Sequence, residues 1–339
     1  MTIAERPIAT HDITEERASL GRIQSSIKDR LDAVTEDMVA SVSHDAPLVA
    51  QIGAHLMTMR GKMFRPTLVL LCSSVEDKPE PQAIELAAAV ELIHLATLVH
   101  DDAVDHSVLR RGMPTLNSLF SHQISVIMGD FLYSTALTKL VSLGDLDALR
   151  ALTRASTEMT VGEMRQLAVQ DALSFDEDDY YALIGSKTAS LISAACEIGS
   201  IAGARNHTRA LAEYGTALGM GFQIADDLID YTEEEETTGK PTGLDLKEHK
   251  VTLPLIHAMR VMSGSDRKKV ENLFANSEPG DSQVRDVINI VADNGGLDYA
   301  RERGSLFAQQ AREALADVPD TVARTALIES ISYVMERHA

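Results

Sequence analysis

The sequence predicts an all-α fold: one large helical bundle around a central cavity, with residues 1–339 forming a single domain. Three observations point there. Apolar residues recur at helical spacing through most of the chain, while strand-like alternation is hard to find. The breaks between periodic stretches are rich in Gly, Pro, Ser or Asp, and none is long enough to read as an interdomain linker. A chain of 339 residues with 45% apolar content can also bury a sizeable core.

Taken in order, the periodicity places helices at 14–40, 64–75, 82–105, 114–143, 145–169, 178–202, 207–231, 252–262, 281–294 and 296–337. The segments "SHDAP", "SSVEDKPEP", "HSVLRRGMP", "DALSFDEDD", "AGARNH", "TEEEETTGKPTG" and "ANSEPGDS" separate them. The run "IELAAAVELIHLATLV" has no Gly or Pro and consists largely of strong helix formers. A bundle of this kind builds its site from side chains that project inward from facing helices.

The formal charge of -20 argues against nucleic acid as a partner, because a phosphate backbone needs a basic surface. Cys72 and Cys196 lie within apolar helical stretches, which suits buried, reduced thiols in a cytoplasmic protein. The first twenty residues lack the basic and apolar regions of a signal peptide. No run reaches about 18 apolar residues, so no transmembrane segment is expected.

Residues 98–115, "LVHDDAVDHSVLRRGMPT", carry the first chemical signal. Asp101 and Asp105 stand four residues apart, on one face near the C-terminal end of a helix. The helix dipole is negative there and the two charges repel, so the pair calls for a cation. Carboxylates without a His or Cys ligand pattern suit a hard ion such as Mg²⁺ rather than zinc. The arrangement recurs 125 residues later in "GFQIADDLIDY", where Asp226, Asp227 and Asp230 end another apolar helix. Two facing clusters of this kind could hold a diphosphate between metal ions and stabilise it as a leaving group.

Basic residues accompany both clusters. Arg110 and Arg111 follow the first, and Lys240 and Lys250 follow the second. Lys187 and Thr188 lie in "LIGSKTASL", and Lys62 and Arg65 in "RGKMFRP". Each alone suits a surface charge, and spacing does not establish that they converge.

With these motifs the sequence resembles the trans-isoprenyl diphosphate synthases, also called polyprenyl synthetases. The likeness spans about residues 50–260 and rests on "GKMFRP", "HLATLVHDDAVDHSVLRRGMPT", "GD" at 129–130, "GEMRQ" at 162–166, "SKTASL", "GFQIADDLIDY" and "GKPTGLDLKEHKVTLP". The resemblance implies an all-α homodimer that condenses isopentenyl diphosphate with an allylic diphosphate and uses about three Mg²⁺ ions. It implies that Asp101 and Asp105 bind two metals with support from Asp102. Asp226 would bind a third, aided by Asp227 and Asp230 through water. Arg110, Lys187, Thr188, Gln223 and Lys240 would hold the allylic diphosphate. Lys62, Arg65, His94 and Arg111 would hold that of isopentenyl diphosphate. Two departures stand out: Arg60 and Met63 flank the first basic motif where Gly and Arg are usual. His249 stands where Gly is common, leaving Lys250 in place.

Product length is expected to be set below the first cluster. Ala96 and Thr97 present small side chains where bulky aromatics close the cavity in short-chain relatives, with Ile93 and Ala89 deeper. A floor is expected at Leu137 or Leu140, which points to a long-chain product. A geranylgeranyl or farnesyl diphosphate synthase is the nearest alternative. A terpene cyclase would lack the second "DDLID" and the isopentenyl site. A non-catalytic subunit should have lost aspartates, and all six remain.

Overall fold

The computed structural model describes residues 19–59, 61–110, 112–168, 171–232 and 242–336. Short α1 (Leu20–Gln24) passes through a 3-10 turn into α2 (Lys28–Val42), followed by α3 (Pro47–Thr58), α4 (Phe64–Cys72) and α5 (Ala83–Val104). A two-residue hairpin comes next, β1 (Leu109–Arg110) antiparallel to β2 (Met113–Pro114), with Arg110 opposite Met113. Then come α6 (Leu116–Leu119), α7 (His122–Leu143), α8 (Leu146–Ala168) and α9 (Glu177–Ile184). A π turn, Gly185–Ala189, joins α9 to α10 (Ser190–Ile201), and α11 (Thr208–Thr232) follows. The C-terminal part holds α12 (Leu244–Lys247), α13 (Leu253–Val261), α14 (Gly264–Phe274), α15 (Asp281–Asp293), α16 (Gly296–Ala314) and α17 (Val322–Glu336).

The centre of the bundle is α5. Its residues from Leu86 to Ile93 are buried on every side, Glu91 included, as expected for a helix that is apolar all round. It packs along α7, while α11 packs along α10 on one side and α16 on the other. The largest apolar cluster joins Leu86, Val90 and Ile93 of α5 to Leu132 and Leu140 of α7 and Leu191 and Ile198 of α10. Both aspartate-bearing helix ends therefore rest on rigid, buried helices.

Several boundaries differ from the periodicity. The stretch at 114–143 is two helices, because Phe120 leaves helical geometry and Ser121 caps α7 by accepting the Ile124 N–H. Residues 296–337 are also two helices, with Pro319 lying between them. Three helices, α3, α12 and α14, had no clear periodic signal. Helix α14 buries only Val270 and Leu273, and α3 starts on Pro47 at its first turn.

Two helices, α5 and α7, are long and apolar enough to cross a membrane by length and composition, a possibility that the count of unbroken apolar runs missed. In α5 that apolar stretch is mostly buried within the bundle (61%), and in α7 a third of it is (33%).

Candidate active site

The cationic side of the site is built on the π turn. A π turn widens the helix locally and often marks a functional site. Glycine lets its neighbours close on it. A Cβ at Gly162 of α8 would lie 2.5 Å from Ser186 Oγ, and one at Gly219 of α11 would lie 2.5 Å from Ala189 Cα. Lys187 Nζ reaches Glu163 Oε1 at 2.6 Å and Gln166 Oε1 at 3.3 Å, both on α8. The Thr188 hydroxyl donates to Gln223 Oε1 at 2.8 Å.

At the end of α5, Asp101 is half-buried and Asp105 exposed. Burial pushes the Asp101 carboxyl up to about 6, against the pull of Lys187 and with the repulsion of Glu163 and Asp105 added. Asp102 points elsewhere. It is 6% exposed, and both its oxygens accept from Arg110 Nε, at 2.8 and 3.0 Å. It thereby ties the hairpin to the helix.

The second cluster divides in the same way. Asp226 is exposed, whereas Asp227 is buried and accepts from Tyr180 Oη at 2.6 Å and Gln223 Nε2 at 2.8 Å. Asp230 accepts the backbone N–H groups of Leu244 and Asp245, at 3.0 and 3.1 Å, and so fixes the loop that carries Lys250. In that loop burial, then the charge of Asp230, pushes the Asp245 carboxyl up to about 6. His249 has φ 56°, a left-handed backbone that glycine adopts freely, and its ring lies against Phe274 and the Asn276 carbonyl.

Lys250 Nζ lies 2.6 Å from Glu248 and 3.9 Å from Asp245, both in its own loop. Burial works against its charge, but Glu248, Asp245 and Asp105 outweigh it and hold the ammonium above its usual range. The charge of Asp105 reaches it from the end of α5, so this loop faces the first cluster. Lys62 is exposed and Arg65 half-buried at the start of α4. Phe64 between them stacks on Phe222, the neighbour of Gln223, with ring centroids 6.1 Å apart. His94 lies seven residues before Asp101 on α5, two turns down on nearly the same face. Arg111, Lys240 and Arg60 lie outside the described residues.

Below the first cluster, Ala89, Ile93 and Ala96 are fully buried and share the main apolar cluster with Leu132, Ala136 and Leu140. Thr97 is half-buried, its hydroxyl donating to the His94 carbonyl at 2.8 Å, and Leu137 is half-buried against the core. These side chains are therefore packed, with Thr97 and Leu137 the more open pair.

Among the described residues, no three Asp, Glu, His or Cys side chains form a closed ligand set. What the site offers as metal donors is carboxylate oxygen, with burial raising the Asp101 and Asp245 carboxyls to about 6. That donor set fits a hard divalent cation that takes further oxygens from a substrate. Three participants escaped the sequence reading. Glu163 and Asp245 stand within quoted motifs, but Tyr180 stands in none.

Residues 46–291 match the family described as Polyprenyl synthetase. The chain is 36% identical over 319 residues to the all-trans-nonaprenyl-diphosphate synthase (geranyl-diphosphate specific) of Rhodobacter capsulatus, covering 91% of this chain and 98% of that one. It is 33% identical over 321 residues to the octaprenyl diphosphate synthase of Escherichia coli, covering 94% and 99%. Its fold superposes with a TM-score of 0.90 on a polyprenyl synthase from Caulobacter crescentus, solved with calcium and isoprenyl diphosphate, at 32% identity over 96% of this chain and 99% of that one.

Proposed function

The chain belongs to the polyprenyl synthetase family, and from that premise we propose that its two aspartate clusters hold the diphosphates of a chain-lengthening reaction. It is a prenyltransferase of the trans-polyprenyl diphosphate synthase type with a long-chain product. In this reading farnesyl or geranyl diphosphate is the starter and isopentenyl diphosphate the repeated unit. The observation that carries it is the polar cluster around the π turn, where Lys187 reaches Glu163 at 2.6 Å and Gln166 at 3.3 Å and Thr188 donates to Gln223, the partner of Asp227 in the second cluster.

Asp101, Asp105 and Asp226 would hold Mg²⁺. Bound there, the metal would neutralise diphosphate oxygens and make diphosphate a better leaving group. Lys187, Thr188 and Gln223 line the allylic diphosphate, together with Arg110 and Lys240. Lys62, Arg65, His94 and Arg111 take the isopentenyl diphosphate, and Lys250 is a further cation for substrate. Asp102, Asp227 and Asp230 orient Arg110, Gln223 and the Lys250 loop. The allylic C1–O bond breaks with its electron pair leaving on the diphosphate. The isopentenyl double bond then forms the new C–C bond, and a proton passes to the departing diphosphate. The protein supplies orientation and electrostatic stabilisation, with no covalent nucleophile.

The chain reads as one functional unit, and a second copy suits the outer face of α7 and α8. Ile127, Val141, Leu146 and Met164 are 61–67% exposed there, which leaves apolar surface for a homodimer. Two fully buried thiols, Cys72 and Cys196, suit a reducing cytoplasm.

The test is to incubate the purified chain with Mg²⁺, isopentenyl diphosphate and farnesyl diphosphate, and to separate the products. Chains longer than the starter are expected. Their absence without a second protein chain, and their appearance with one, would favour a subunit of a heteromeric synthase.

A further inference from the structure

Tyr180 lies outside every motif noted in the sequence, yet it makes one of the shortest contacts to the second cluster. It is 2% exposed, on α9, seven residues before Lys187 and 47 before Asp227. Its hydroxyl donates to Asp227 Oδ2 at 2.6 Å, while Gln223 Nε2 donates to Oδ1 at 2.8 Å. Thr188 Oγ1 in turn donates to Gln223 Oε1 at 2.8 Å. A continuous chain thus runs from Tyr180 through Asp227 and Gln223 to Thr188, across α9, α11 and the π turn.

The chain runs in one direction: Tyr180 and Gln223 both donate to Asp227, one to each carboxyl oxygen, and Thr188 donates to Gln223. That turns the Gln223 amide with its nitrogen toward Asp227 and its carbonyl toward Thr188. The amide nitrogen keeps a second N–H, which is available to a diphosphate oxygen. The Tyr180 hydroxyl holds Asp227 Oδ2, which leaves Oδ1 turned toward the Gln223 amide nitrogen and fixes the buried side chain between its two donors.

We propose that Tyr180 is a positioning residue for the allylic diphosphate: through Asp227 it locks the Gln223 amide in the orientation that presents N–H to the anion. The inference rests on the reading of the site as a prenyl diphosphate synthase. It assigns Tyr180 and Asp227 no direct contact with substrate.

The test compares Tyr180→Phe, Asp227→Asn and the double variant with the wild-type chain, in steady-state assays with each substrate varied in turn. Binding of a non-reactive thiolodiphosphate analogue of the allylic substrate is measured in parallel by calorimetry with Mg²⁺. Each single variant is expected to weaken analogue binding and raise the allylic KM about tenfold, the worth of one charge-assisted hydrogen bond. The isopentenyl KM should stay within about twofold, and the double variant should lose little more than either single one. A Y180F protein with unchanged allylic KM, with equal losses toward both substrates, or with losses that add to those of D227N would overturn the proposal. If Y180F does not fold, D227N alone decides by the same split between substrates, since it keeps the volume of Asp227. A wild-type chain with no synthase activity would instead sink the functional reading beneath it.

Discussion

The ammonium of Lys187 lies 2.6 Å from a carboxylate oxygen of Glu163, so the cation assigned to the allylic diphosphate already has an anionic partner. Substrate must take the place of Glu163. Both side chains are more than a third exposed, 38% and 35%, and such a pair adds under about 1 kcal/mol to stability. Lys187→Ala should therefore leave the melting temperature nearly unchanged while raising the allylic KM about 10- to 100-fold. Thermal melts and initial rates on one preparation check this. A large drop in melting temperature with normal kinetics would show that the lysine serves the fold.

The open and the inward-facing aspartates should separate in their kinetics. Asp101→Asn and Asp226→Asn are expected to lower kcat by about 10³-fold, the worth of several kcal/mol of charge stabilisation. Chelation of divalent metal should abolish turnover, and added Mg²⁺ should restore it. Asp102→Asn acts through Arg110, its partner at 2.8 Å, and should chiefly raise the allylic KM. Near-normal kcat in either Asp101→Asn or Asp226→Asn would remove that residue from the metal site.

At the start of α9, Glu177 gives a prediction in pH. Its carboxylate accepts from Tyr299 at 2.6 Å, Arg260 at 2.7 Å and Tyr181 at 3.0 Å, tying α9 to α13 and α16. Burial opposes its charge, but these three donors outweigh burial and hold the carboxyl below its usual 4.5. A group lowered in the folded state stabilises above its unfolded pKa, and that stability is lost as pH falls through the folded value. Glu177→Gln should thus cost about 1–3 kcal/mol at neutral pH. The gap to wild type should close below about pH 4. Urea titrations at neutral pH and at about pH 3.5 measure both gaps, and equal gaps would rule out an ionic contribution.

The aspartate clusters are legible in sequence because like charges at a negative helix end are costly without a cation. Their division of labour is not. Adjacent helical residues point about 100° apart, so one of each Asp-Asp pair faces the open space and the other turns into the protein. Which one turns inward depends on Arg110 for Asp102 and on Tyr180 for Asp227, and the second partner is 47 residues away. The same limit applies to the fold. Periodicity finds α5 and α11, whose apolar residues are many, and misses α14, whose polar sequence buries only Val270 and Leu273.

Product length offers the sharpest contrast between packing and function. One helical turn rises about 5.4 Å, close to one extended isoprene unit, so α5 below Asp101 can act as a ruler. The structure packs Ala96 at 1% exposure in the same apolar cluster as Leu132, Ala136 and Leu140 of α7. Thr97 beside it is half-buried. If a growing chain threads between α5 and α7 here, the two helices must already leave or open room at this level. A phenylalanine at 96 would then occupy that room and shorten the main product, with little loss of stability. If Ala96 only permits close packing, the added ring overfills the core and costs about 1–3 kcal/mol. Product length would then stay the same. Thr97→Tyr starts from a more open position and should shorten the product with a smaller stability change. Leu137→Ala, on the half-buried face of α7, should lengthen it if that side chain closes the tunnel. Product chromatography paired with thermal melts reads both quantities on each variant. Shortened products from stable Ala96→Phe and Thr97→Tyr proteins support the ruler. Destabilised variants with unchanged products assign both residues to helix packing alone.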